Sequence, residues 1–104
     1  YYEWACFTAH QAGEKAIKAV YYKLGAEVRG HSITDLFKGL KVKAKINEDL
    51  IKGAKHLDRY YIPTRYPNGW AEGIPADYFS EKDAKDAVGN SGKILRFCKS
   101  LLAK

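Results

Sequence analysis

Apolar residues recur at helical spacing from the start of the chain. Cys6, Ala9, Gly13, Ala16, Ile17, Val20 and Leu24 fall on one side of a helix spanning Ala5 to Leu24, and Gly25 supplies a C-terminal stop. After the loop AEVRGH, Ser32 can cap a second helix, with Asp35 three residues on in capping-box spacing. That helix, Ile33 to Leu40, presents Ile33, Leu36, Phe37 and Leu40, and Gly39 weakens its end. KVKAK alternates briefly, as a link or a very short strand with no obvious partner. Asn47 then caps a third helix that carries Glu48 and Asp49 in its first turn and runs to about Tyr61. Its apolar stripe is Ile46, Leu50, Ala54, Leu57 and Tyr61; the opposite face holds Lys52, Lys55, His56 and Arg59. Pro63 stops it. Residues 63 to 78 read as an ordered loop, because prolines and glycines alternate there with Tyr66, Trp70 and Tyr78. Ser80 opens a fourth helix with Asp83 three residues later. Ala84, Ala87, Val88, Ser91, Ile94, Leu95, Cys98, Leu101 and Leu102 share its face, and Asn90 and Gly92 predict a bend. The pattern predicts an all-α, up-and-down four-helix bundle with a long ordered loop between the third and fourth helices. No repeat or boundary divides residues 1–104, so a single domain is expected.

Composition adds charge to this picture. The 104 residues carry a formal net charge of +6 and a pI of about 9.3, which favours anionic partners or a well-solvated lysine surface. No apolar run reaches the roughly 20 residues of a membrane helix. The start lacks the layout of a signal peptide, and a cytoplasmic location is expected. There is no Met, so Tyr1 is read as lying inside a longer natural chain. Cys6 and Cys98 belong to no metal-spaced cluster; no metal or cofactor is expected, and a disulfide between first and last helices stays open.

Three groups of residues are candidates for function. Trp4, Phe7, Gln11, Lys18 and Tyr22 form a second stripe on the first helix, away from its core side. They suit a dimer interface, or packing against other parts of the chain. The run from His56 to Trp70 joins Arg59 and Arg65, whose forks fit phosphate, to Tyr61 and Tyr66, whose rings fit bases. The alternative is that the tyrosines complete the core and the arginines pair with acids. His31, just before a capped helix start, is a ligand for an anion or a structural histidine. No Walker loop, nucleophile elbow or metal-spaced pattern appears.

Three stretches together resemble the HEPN domain family. Cys6 to Gly25 is similar to its first-helix pattern through Gln11, Ala12, Glu14, Lys15, Lys18 and Ala19. Arg29 to Leu40 is similar to its Gly-His-Ser helix start, and Ala54 to Asn68 to its Leu-Asp-x-x-Tyr-Ile-Pro-Thr-Arg-Tyr-Pro signature. The resemblance implies an antiparallel helical bundle, a homodimer, and association with nucleotide or RNA. It also implies a minimal nucleotidyltransferase as partner in a toxin–antitoxin-like pair. Nucleotide or phosphate would fall to Arg59, Arg65, Tyr61, Tyr66, His31 and Lys18, and the dimer to Trp4, Phe7, Gln11 and Tyr22. One departure stands out. Ribonuclease members carry Arg, four to six residues, then His, and none of Arg29, Arg59, Arg65 and Arg96 is followed by His at that spacing. A non-catalytic binding domain is therefore the leading expectation. The alternatives are a metal-independent ribonuclease using His31 and Arg65, and a purely structural dimeric partner.

Overall fold

The first helix, α1, spans Tyr2–Lys23 and buries Cys6, Ala9, His10, Gly13, Glu14, Ile17 and Val20. Its end is a Schellman turn: the Gly25 and Ala26 amides donate to the Tyr22 and Tyr21 carbonyls, with Gly25 at φ +86° as the stop requires. The remaining helices are α2 (Ile33–Leu40), α3 (Glu48–Asp58) and α4 (Glu81–Leu102). The computed structural model describes residues 2–61 and 79–104; the expected ordered loop, with Arg65, Tyr66 and Trp70, lies outside them.

The expected caps are in place. Ser32 Oγ accepts from the Asp35 amide, Asn47 Oδ1 from the Leu50 amide, and Ser80 and Asp83 form a full capping box. Several limits differ from the sequence pattern. α1 starts three residues earlier than Ala5, and Leu24 is exposed past its end. α3 stops at Asp58 with Arg59 as its C-cap, so Tyr61 lies beyond it. Ile51 and Gly53 join the α3 core face; Gly53 lets Asn90 of α4 approach, a Cβ there lying 3.1 Å from Asn90 Oδ1. α4 is one continuous helix through Asn90 and Gly92, while Val88, Leu95 and Leu102 stay exposed. Residues 41–44 form turns, and no strand occurs among the described residues.

All four helices meet at Gly13. A Cβ there would lie 3.0 Å from Ile33 Cδ1, 3.5 Å from Leu57 Cδ1 and 3.9 Å from Ile94 Cδ1. Around this point Ile17, Ile33, Phe37, Leu40, Leu57 and Ile94 are sealed from solvent. Burying each such side chain contributes about 1.5–3 kcal/mol.

The described helices form the all-α bundle that the periodicity predicts, and contacts give their directions. Ser32 lies beside Asp58, so α2 and α3 are antiparallel. Asp49 pairs with Lys93, and Tyr60 reaches Asp83, so α3 and α4 are antiparallel too. The α1–α2 step breaks the alternation. His10 contacts the His31 carbonyl while Tyr21 donates to the Leu36 carbonyl, so α2 runs the same way as α1. The chain leaves α1 at Lys23, doubles back along it in an extended segment, and restarts beside its middle. α1 and α4 are consequently parallel. Lys23 Nζ donates to the carbonyls of Leu101, Leu102 and Lys104, while Cys6 faces Tyr60 and Asp83 at the other end. Cys98 lies about 22 Å along α4 from Asp83, at 1.5 Å per residue. Both thiols are free and buried, and this separation excludes the Cys6–Cys98 disulfide that the sequence left open.

Candidate functional site

The α1–α2 reversal brings the start of α2 against the middle of α1 and the end of α3. Asp58, the last residue of α3, accepts from the Ile33 amide at 2.9 Å, the Thr34 amide at 3.0 Å, the Thr34 hydroxyl at 2.7 Å and the Ser32 hydroxyl at 3.1 Å. It is the anion that the N-terminus of α2 calls for. Burial pushes its carboxyl up, but hydrogen bonds from His10, Thr34 and the Ile33 amide outweigh that and hold it below the usual value.

His10 is completely buried. Its Nε2 lies 3.0 Å from the His31 carbonyl and 3.4 Å from Asp58 Oδ1. Both neighbours accept only, so Nε2 carries the hydrogen. Nδ1 faces Glu14 Oε1 at 4.0 Å, outside hydrogen-bond reach.

Glu14, one turn further along α1, joins Lys18 to His31. Its Oε2 accepts from Lys18 Nζ at 2.9 Å and its Oε1 lies 3.1 Å from His31 Nδ1. Burial raises its carboxyl, and the bonds from Lys18 and His31 bring it below the ordinary range. The ionised carboxylate accepts only, so His31 donates through Nδ1 and keeps Nε2 available. The His31 ring is partly open to solvent and stacks on Tyr61, centroids 4.6 Å apart and planes 15° from parallel. The Tyr61 ring also sits 5.4 Å from that of His10.

Lys18, His31 and Tyr61, named from the sequence as ligand residues, therefore converge on one wall. Arg59 does not join them: it is exposed at the end of α3, and its charge acts on Tyr60 and Asp83. Arg65 and Tyr66 fall outside the described residues. His10, Glu14 and Asp58 are not among the ligand residues read from the sequence, yet they build the wall. For His10 and Glu14 the signal was their spacing with Lys18, four residues apart on one helix. No group of His, Cys, Asp and Glu able to hold a metal ion occurs among the described residues.

On the solvent side of Lys18, an open cleft of about 810 Å³ runs between α1 and the doubling-back segment, lined by Lys18, Tyr22, Gly25, Ala26, Glu27 and Val28. Trp4 and Phe7 of the same stripe contact each other edge to face at 6.2 Å; Trp4 is 67% exposed and Tyr22 73%. Gln11 is half-buried. No described helix is long and apolar enough to cross a membrane.

The HEPN domain family model matches residues 1–101. The chain is similar to the crystal structure of TT1696 from Thermus thermophilus, with a TM-score of 0.86 and 41% identity over 95% of this chain and 78% of that one. It is also similar to ST0689, described as an archaeal HEPN homologue, with a TM-score of 0.75 and 38% identity over 96% and 77% of the two chains. A protein of Methanocaldococcus jannaschii named "Putative toxin MJ1304" is 23% identical over 98% of this chain and 73% of its own length.

Proposed function

The chain belongs to the HEPN domain family, and from that premise we propose that it is the HEPN member of a toxin–antitoxin-like pair that binds a nucleotide or RNA. The supporting observation is the meeting of Lys18 and His31 on Glu14, beside the Tyr61 ring. Lys18 supplies a point charge for phosphate and His31 a hydrogen-bonding edge. Glu14 keeps both in place. Arg65, close in sequence to Tyr61, adds the fork suited to a second phosphate oxygen. The matched name of the archaeal relative supports the toxin–antitoxin setting. In this proposal one domain spans residues 1–104, a minimal nucleotidyltransferase is the protein partner, and Trp4, Phe7 and Gln11 contribute to a homodimer contact. The test is calorimetric titration with ATP, GTP and a short RNA. Lys18→Ala and His31→Ala are expected to weaken binding at least fivefold; a wild-type protein that binds none of the three overturns the proposal.

The Glu14–His31 pair favours a second reading, a metal-independent ribonuclease. A carboxylate fixing Nδ1 and leaving Nε2 outward is how a general base is oriented. RNA cleavage in the presence of chelator, lost in His31→Ala and reduced in Glu14→Gln, would establish it. Equal cleavage by the variants would assign the activity to a contaminant.

A further inference from the structure

We infer that the cleft beside Lys18 is a base-recognition subsite, in which Tyr22 stacks on a purine and Glu27 selects guanine. The inference rests on the nucleotide-binding proposal above and extends it from the phosphate to the base.

Four observations lead to it. First, Tyr22 presents its ring to solvent at 73% exposure although it lies one helical turn from Lys18. That separation, about 6 Å along the helix, is close to the span from phosphate to base in a nucleotide. Second, the doubling-back segment forms the opposite wall, and the cleft volume lies within the range of small-molecule sites. Third, the backbone amides and carbonyls of Glu27 and Val28, which line the cleft, make no backbone hydrogen bond with another described residue. Such backbone groups are suited to reading a base edge. Fourth, Glu27 lines the same wall. An ionised carboxylate only accepts hydrogen bonds. Guanine alone among the four RNA bases offers two adjacent N–H donors, N1–H and the 2-amino group, on its Watson–Crick edge. Adenine and cytosine each place a ring acceptor beside their amino group, and uracil flanks its single donor with two carbonyls. The same carboxylate repels phosphate, which orients the ligand with its phosphate toward Lys18 and its base toward Tyr22 and Glu27.

The experiment is titration of the protein with GTP, ATP and inorganic tripolyphosphate, with amide chemical shifts followed by NMR. GTP is expected to bind about tenfold more tightly than ATP, and to move the Gly25, Ala26 and Val28 amides. Tyr22→Ala should lower GTP affinity about tenfold, with tripolyphosphate unaffected and Tyr22→Trp restoring binding. Glu27→Gln should remove most of the preference for GTP over ATP. Lys18→Gln should weaken all three ligands. Tripolyphosphate binding with no added affinity for either nucleotide overturns the base subsite and leaves the phosphate proposal standing. Unchanged GTP affinity in Tyr22→Ala, or a loss of self-association in that variant without a loss of GTP affinity, also overturns it and returns Tyr22 to an interface role. A protein that binds none of the three overturns both.

Discussion

His10 and Glu14 show how a polar residue becomes part of a core. Both occupy the side of α1 that buries Cys6, Gly13 and Ile17, and each reaches a partner on a different element. Apolar periodicity correctly placed the neighbouring Cys6, Ala9, Gly13, Ile17 and Val20 but passes over polar positions by construction. Asp58 was equally hidden, because its partners lie at Ser32, Ile33 and Thr34, far away in sequence. Replacing Asp58 by Ala strands two amides and two hydroxyls at the start of α2. Chemical denaturation is expected to show a loss of about 3 kcal/mol, with Asp58→Asn retaining part of it. Glu14 and Asp58 also contribute to the response to acid, together with Asp83, whose carboxyl the Ser80 amide and hydroxyl hold low. The folded carboxyls of Glu14 and Asp58 lie below their ordinary values of 4.5 and 3.8. The unfolded chain therefore takes up protons first as pH falls. The stabilisation they give is complete above about pH 5 and disappears as pH drops through the lower, folded values. Melting temperature should decline below about pH 4.5, and less steeply in Asp58→Asn than in the wild type. An identical slope would remove Asp58 from this account.

At the scale of elements, the caps were legible because they are local: Ser32, Asn47 and Ser80 each act within three residues. The direction of α2 was not, since nothing within AEVRGH states that the chain doubles back along α1. That path depends on Gly25, which turns the chain at positive φ, and on Gly30, at φ +106°, which admits it to α2. Gly39 likewise looked like a weak helix end, whereas its lack of a side chain leaves room for the Tyr21 hydroxyl that donates to the Leu36 carbonyl. Tyr21→Phe should cost about 1 kcal/mol in a denaturation experiment. Gly25→Ala should cost about 1 kcal/mol through its backbone alone, since no atom lies near enough to clash.

For the whole molecule, the parallel arrangement of α1 and α4 separates the two cysteines and buries both. Burial pushes the Cys6 thiol up to about 11, with the charge of Asp83 adding to it, and burial alone takes Cys98 to about 12. Neither thiol forms appreciable thiolate at neutral pH. A thiol reagent such as DTNB is expected to react with both cysteines only at the rate of unfolding, and fast labelling of the native protein would contradict this packing. The meeting of four helices at Gly13 has a consequence for descent as well as for stability. A methyl group gained at this position crowds the Ile33 Cδ1 methyl, 3.0 Å away, which must give way slightly, while Leu57 and Ile94 stand at ordinary contact distance. Chimeras that exchange α1 between related chains should thus tolerate wide divergence on its exposed face, but lose stability when a side chain grafted at position 13 meets a residue 33 that did not change with it.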